Sequence, residues 1–430
     1  MPADRRLGAY LSGRAIAAPW SIAGHTAAGF HGAVVIPSLA ENANLPATLA
    51  SLAQNPADDL KLFLILVVVN HRTDAASADK ADNLATLEML EQLATTTVLN
   101  LAWVDAASPG LELPVKGGGV GMARKIGFDL VLPRLSWNVH SGGPLLVALD
   151  ADTLVGPDYL PAITRHFRSS ACGGAVIPFR HQEAATATGQ DIIDRYELFL
   201  RSYVLGLNLA GSPYAFHTVG SAMACTGTAY LRSGGMNTRT AGEDFYFLQQ
   251  LRKIAGVEQL SGTMVLPSPR PSHRVPFGTG RSVSKALAGA ETAIQFYHPG
   301  SFALLGSFLS LASASCGASG DEVMRQAVLV SHLLAEYLEG ERFVASWDRI
   351  AQVKKTSEAF LSSFHEWFDA LRTMKLMHHL AAVSFPRCSA EEAVPPLLEA
   401  ARLRPVPGVR GQLELLRTVQ NRVDPPDIFR

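Results

Sequence analysis

Short apolar runs alternate with stretches of helical periodicity over roughly the first half of the chain. Residues 33–37, Ala-Val-Val-Ile-Pro, form an apolar, β-branched run that proline ends, the pattern of a buried strand. Asn42 or Asn44 can cap the helix that follows, whose apolar positions Leu45, Leu49 and Leu52 recur at helical spacing until Asn55-Pro56 stops it. Leu62 to Val69 predicts a second buried strand, Leu84 to Leu93 a helix, and Val98 to Val104 a further strand. Gly117 to Gly121 opens a helix running through Leu132, and the strand over Pro144 to Leu149 leads directly into Asp150. This alternation predicts an α/β fold with a mostly parallel central sheet flanked by helices. A helix from about Pro157 to Arg168, a strand at Ala175 to Pro178 and a long helix from Asp191 to Leu209 complete the pattern.

Beyond that point the texture changes. Residues 211–242 are rich in Gly, Ser and Thr and lead into Glu243-Asp244, at the start of a helix whose apolar face carries Phe247, Leu248 and Leu251. Pro267 to Gly280 is a Pro-, Gly- and Arg-rich loop, too polar for core and too long for a plain connection. From Ser284 onward helical periodicity dominates, in segments around 321–340, 343–377 and 390–402, and strand signals disappear. The apolar stretch from Phe302 to Ala314 contains Ser and Gly and is shorter than the roughly 20 residues a spanning helix needs, so it reads as a core helix. The expected organisation is an N-terminal extension over 1–29, an α/β domain over 30–284 and a mostly helical C-terminal region over 285–430.

Composition narrows the class without naming it. With 430 residues, 48% apolar and 17% charged, the chain can bury a large core and is not of disordered type. A formal net charge of −1 and the lack of any Lys/Arg run argue against nucleic acid as a partner. Cys172, Cys225, Cys316 and Cys388 lack CxxC spacing, which suits a reducing compartment better than a disulfide framework or a zinc knuckle. Arg5, Arg6, Gly8, Gly13 and Arg14 interrupt every apolar stretch near the N-terminus, so a secretory signal is not expected and a cytoplasmic location is, with peripheral membrane attachment left open.

Asp150-Ala151-Asp152 is the sharpest chemical feature. In open parallel sheets ligands bind outside the carboxyl ends of the strands, and two acids there can offer oxygens to Mg²⁺ or Mn²⁺. The competing reading is that Asp152 merely caps the next helix. The Gly117 to Arg124 segment can bring backbone close to phosphate at a helix N-terminus, with Lys116, Arg124 and Lys125 adding positive charge, although it fits neither the P-loop nor a Rossmann fingerprint. Glu243-Asp244 suits a helix start through the dipole as well as it suits acid–base chemistry. The loop Arg270-Pro271-Ser272-His273-Arg274 offers an imidazole to a metal, and Arg270, Arg274 and Arg281 can clamp phosphates.

Four segments in order resemble family 2 glycosyltransferases and their GT-A relatives: Val-Val-Ile-Pro-Ser-Leu-Ala-Glu-Asn from Val34, Gly-Gly-Val-Gly-Met-Ala-Arg-Lys-Ile-Gly from Gly118, Ala-Leu-Asp-Ala-Asp from Ala148, and Gly-Glu-Asp from Gly242. They cover roughly residues 30–285. The resemblance implies a GT-A fold, a nucleotide-sugar donor, a divalent cation (Mn²⁺ or Mg²⁺) and transfer of one hexose-like sugar to an acceptor the sequence does not specify. It implies donor contacts from Pro37, Glu41, Asn70, Arg72 and Asp74, and from Lys116, Gly118, Arg124, Asp150, Ala151, Asp152 and Arg274. Metal ligation falls to Asp152 and Asp150, with His273 as a third ligand of the kind used by retaining synthases acting on glycerate or phosphoglycerate. Asp244, beside Glu243, is the general base if the enzyme inverts the anomeric centre. Asn70 departs from the family, where an Asp is common. The QxxRW motif and transmembrane helices of processive members are missing from the sequence, which disfavours polymer synthesis. A nucleotidyltransferase is the competing enzyme class, but residues 36–42 lack its Gly-rich signature. A non-catalytic sugar-nucleotide-binding scaffold is the third reading. In that reading the helical region after 284 is the partner surface; in an enzyme it is open as lid, oligomer contact or acceptor site.

Overall fold

The computed structural model describes residues 3–16, 18–139, 141–270, 294–354 and 356–421. They fall into two compact units, Met1–Ala185 with Thr218–Ser284, and Thr186–His217 with Lys285–Arg430. Beside the expected 1–29, 30–284 and 285–430, the first 29 residues go with the first unit, and Thr186–His217 goes with the C-terminal helices.

The first unit begins with the helix Ala3–Gly13 (α1) and the strands Ile22–Gly24 (β1) and Gly32–Ser38 (β2). Leu45–Leu52 (α2), Ala57–Leu60 (α3), Phe63–Asn70 (β3), Ser77–Leu93 (α4), Asn100–Ala106 (β4) and Val120–Val131 (α5) follow. Next come Leu145–Ala148 (β5), Leu154–Val155 (β6), Tyr159–Ser169 (α6) and Gly174–Val176 (β7). The helix Ala187–Leu209 (α7) belongs to the second unit, and the first resumes with Met223–Thr226 (β8), Gly227–Ser233 (α8), Glu243–Ala255 (α9), Val257–Gln259 (β9) and Val265–Leu266 (β10). Eight strands form one sheet in the order β1-β4-β3-β2-β5-β8-β7-β9, while β6 and β10 make a separate two-stranded ribbon. Strands β4, β3, β2 and β5 run parallel; β1 is antiparallel to β4, and β8 is antiparallel to both β5 and β7. The fold class is therefore the expected one, a mostly parallel sheet flanked by helices, together with a helical C-terminal region.

Burial explains the central strands. All eight residues of β3 are buried, as a parallel strand covered on both faces requires, and that is why Phe63–Asn70 reads as an almost unbroken apolar run. Helix α5 lies close on the sheet because Gly127 has no side chain: a Cβ there would stand 2.4 Å from Val35 Cγ1 and 3.0 Å from Val68 Cγ2. The segment before β2 is tied to the same helix. Tyr10 Oη and the Ile16 amide both donate to the Asp129 carboxylate at 2.8 Å, and Lys125 pairs with that carboxylate at 2.8 Å.

Three sequence expectations need correction in detail. Strand β8 lies inside the Gly-, Ser- and Thr-rich stretch over 211–242, where no strand was expected; it is four residues long and wholly buried between β5 and β7. Helix α4 starts at Ser77, well before the apolar periodicity appears at Leu84. The continuous helical stretch expected over 343–377 is broken into Phe343–Val353, Ser357–Trp367 and Ala370–Val383, with Thr356 and Asp369 side chains capping the second and third.

Among the described residues the second unit is built of helices, with one isolated antiparallel bridge between Phe296 and Cys388. Its core gathers Phe302, Leu305 and Phe308 from the helix Pro299–Ala314 with Phe343, Trp347, Phe360, Phe364 and Phe368. Trp347 meets Phe360 edge-on at 4.6 Å and donates its indole N–H to the Ala318 carbonyl at 2.9 Å. Glu197, buried on α7, accepts from Arg201 Nε at 2.8 Å, and from Arg417 Nε at 2.8 Å and Nη2 at 2.6 Å. No described helix is long and apolar enough to cross a membrane.

Candidate functional site

Strand order reverses between β2 and β5: β3 and β4 continue on one side of β2, and β5 lies on the other. The loops leaving β2 and β5 diverge there, which opens a crevice at the carboxyl ends of the strands. Glu41 lies in the first loop and Asp150, Ala151 and Asp152 in the second. Arg270 joins them, its Nε donating to Asp152 Oδ2 at 2.9 Å and its Nη2 to Glu41 Oε1. The other Glu41 oxygen accepts from Asn44 Nδ2 at 2.8 Å, so Asn44 stands at the cap position of α2 without capping it by its side chain. The backbone of the second loop is pinned from two directions. Thr48 Oγ1 donates to the Ala151 carbonyl at 2.9 Å, and Gln182 Nε2 donates to the Asp152 carbonyl at 3.0 Å and to that of Leu266 at 2.7 Å.

Asp152 does not cap the following helix, whose cap residue is Asp158. Burial pushes the Asp152 carboxyl up to about 6, the negative charges of Glu41 and Asp150 push the same way, and Arg270 opposes them. Around the crevice, Ser38 Oγ, Asn70 Oδ1, Thr153 Oγ1 and Tyr159 Oη are buried with no hydrogen-bond partner among the described residues. Of these, Ser38 ends β2 and Asn70 ends β3.

A second cluster adjoins the first. Arg124, 2% exposed on α5, donates through Nη2 to Asp150 Oδ1 and through Nη1 to Glu243 Oε1. Glu243 is buried at the start of α9, behind Gly242 in the left-handed region at φ 68°. Asp244 follows it, with Oδ1 accepting from the Phe245 amide at 2.7 Å. Burial raises the Asp244 carboxyl above the ordinary range, Arg124 pulls it down, and Asp150 adds to the rise. One guanidinium thus links the acid after β5 with the acid pair opening α9.

The remaining expected residues are placed as follows. Pro37 lies in β2 beside Val68, beyond the last residue paired with β5. Asn70 ends β3 and is buried. Arg72 pairs with Asp74 at 2.9 Å in an exposed turn. Lys116 is exposed ahead of α5. The glycines beside it are called for by the chain itself: a Cβ on Gly118 would stand 2.0 Å from the Pro114 carbonyl oxygen, and one on Gly121 would stand 2.4 Å from that of Arg239. His273, Arg274 and Arg281 lie outside the described residues. Among the described residues no group of three or more His, Cys, Asp and Glu side chains is arranged to hold a metal ion. Sequence reasoning missed Thr48, Gln182 and the Asp82-Asn83 pair, which hold site loops through backbone atoms and leave no motif behind.

No protein-family model and no curated protein matches the chain. Solved structures do. S. aureus TarS 1-349 in complex with UDP-GlcNAc is 15% identical over 78% of this chain and 90% of that one, with a TM-score of 0.38. The mannosyltransferase PcManGT from Pyrobaculum calidifontis, in complex with GDP-Man and Mn²⁺, is 14% identical over 88% of this chain and 91% of its own, at 0.35. Glucosyl-3-phosphoglycerate synthase from Mycobacterium tuberculosis, in complex with Mn²⁺, UDP and glucosyl-3-phosphoglycerate, is 14% identical over 68% and 86%, at 0.33. Likenesses this distant carry no functional assignment, which must rest on the chain's own residues.

Proposed function

We propose that the chain is a non-processive glycosyltransferase of GT-A type that moves one sugar from a nucleoside-diphosphate donor to an acceptor. The observation that carries this reading is the convergence of Glu41, Asp150 and Asp152 on the switch point between β2 and β5, with Arg124 tying Asp150 to the acid pair at the start of α9. It supports a donor side and an acceptor side meeting at Asp150.

A divalent cation fits this corner. The donors are oxygens, the choice of a hard cation such as Mg²⁺ or Mn²⁺, and Asp152 is raised by burial first and then by the negative charges of Glu41 and Asp150 beside it. Asp152 and Asp150 would hold the ion, with His273 as the third ligand that the sequence suggests. Once bound, the ion would neutralise the departing diphosphate. Arg270 pairs with Glu41 and Asp152, so a cation held by Asp152 would compete with the guanidinium for the same charge.

The chain's own residues account for the rest. Glu41 and Asn70 line the two loops that flank the nucleoside. Arg124 is engaged by two carboxylates, so its part is to hold Asp150 and Glu243 in place, and the exposed Lys116 is left to meet phosphate. Asp244 takes the proton of the acceptor hydroxyl if the reaction inverts; burial makes it a stronger base than a solvated carboxylate.

The test combines binding with turnover. Mn²⁺ and a UDP- or GDP-sugar together should raise the melting temperature more than either alone. Asp244→Asn should keep that joint stabilisation while transfer falls by roughly 100-fold or more. An Asp152→Asn protein that retains both the stabilisation and the transfer would refute the site assignment.

A further inference from the structure

Asn83 is fully buried near the middle of α4, a helix for which the site chemistry has so far had no use. Its carboxamide makes three bonds to two different loops. Oδ1 accepts from the Ala40 amide at 2.9 Å, and Nδ2 donates both to the Asn70 carbonyl at 3.0 Å and to His71 Nδ1 at 3.0 Å. Nδ2 has two hydrogens, and both are used. The orientation of the amide is fixed by these partners, since only the oxygen can face the Ala40 N–H and only the nitrogen can face the Asn70 carbonyl. Ala40 is one of the few non-glycine residues at positive φ, 52°, a conformation that needs outside support. Asp82, the preceding residue, accepts from the Asn42 amide at 3.0 Å, so consecutive helix residues grip the loop on either side of Glu41.

We propose that Asn83 is a positioning residue for the nucleotide. It fixes the spacing between the loop carrying Glu41 and the end of β3 carrying Asn70, so that both walls of the nucleoside cleft are set by one side chain. The inference rests on the reading of those loops as a donor site. It carries a chemical condition, because Nδ2 only donates and His71 Nδ1 must therefore be unprotonated. Burial holds the His71 imidazole below its ordinary value, with Lys80 acting the same way and Glu112, Asp79 and Asp105 opposing. The condition is met at neutral pH.

Binding of UDP and GDP in the presence of Mn²⁺ tests this, with each variant compared with the wild type at the same pH so that other titrating groups cancel. Asn83→Ala should weaken nucleotide binding roughly tenfold or more and raise the donor KM while leaving kcat within about twofold. Asn83→Asp keeps the acceptor for Ala40 but turns a carboxylate oxygen on the Asn70 carbonyl in place of the Nδ2 donor, a loss that no change of the His71 tautomer restores. Its nucleotide affinity should fall at every pH between about 5.5 and 8, with the donor KM rising and kcat within about twofold. A merely structural role lowers stability and kcat without a selective rise in KM. Wild-type affinity in either variant, or a loss confined to kcat, overturns the proposal. If neither variant folds, the wild type decides: the Asn83 carboxamide and Ala40 amide NMR signals should both shift on saturation with nucleotide, and a saturated site with both unmoved overturns it. A wild type that binds neither nucleotide overturns the donor reading, and this inference with it.

Discussion

At Asp152 the energetics and the proposed chemistry pull in opposite directions. A carboxyl whose folded value stands near 6, against 3.8 when unperturbed, holds its proton more tightly in the folded state. Its contribution to stability is complete below about pH 4 and is lost as the pH rises through 6. Asp152→Asn removes the charge, and in urea denaturation it should be more stable than wild type at pH 8, by on the order of 1 kcal/mol, with the gain vanishing near pH 4. Cation affinity has the reverse dependence: Mn²⁺ binding by calorimetry should weaken as the pH falls below about 6, because the ligand must lose its proton. Arg124 is the other residue on which the site turns. Arg124→Met leaves Glu243 buried without its partner, and should destabilise the chain by about 3–5 kcal/mol. If turnover survives, its acid limb should move to higher pH, since Asp244 loses the positive charge that lowers it.

At the scale of elements, the placing of Arg124 depends on how closely α5 lies on the sheet. Gly127→Val puts methyl groups where Val35 and Val68 already stand, so the helix must lift. We expect a loss of about 1–3 kcal/mol in denaturation and a larger loss of turnover than stability alone explains, because Arg124 sits three residues earlier on the same helix. Strands β2, β3, β4 and β5 were legible because parallel strands buried on both faces are written as apolar runs. The acids at Asp150 and Asp152 were legible because they follow such a run directly. Strand β8 was not: Met223–Thr226 is short, carries no β-branched apolar residue, and its burial comes from neighbours distant in sequence. The first turns of α4 were hidden for a related reason, since Ser77 to Asn83 hold no apolar side chain larger than alanine and Asn83 is buried with its hydrogen bonds satisfied. The reach of Arg270 to Glu41 across 229 positions lies beyond any local pattern.

At the scale of the whole molecule, the two units rest on different interiors, a core built on a sheet in one and a core built among helices around a group of stacked and edge-on aromatic rings in the other. The second also contains charge. Glu197→Ala should cost about 3–5 kcal/mol by taking the carboxylate from the buried Arg201 and Arg417, whereas replacing all three together, Glu197→Leu with Arg201→Leu and Arg417→Met, should recover much of it in the same denaturation experiment. The burial of β8 beside β5 has a consequence for biosynthesis. The chain completes β5 at Ala148 but delivers Met223–Thr226 only after Thr186–His217 has been made. Throughout that interval a nascent chain carries an apolar strand with one bare hydrogen-bonding edge, open to pairing with other polypeptides. The order of synthesis, and not final stability, then sets when this protein is most exposed to aggregation, and a chain stopped before β8 should depend on chaperones far more than the complete one.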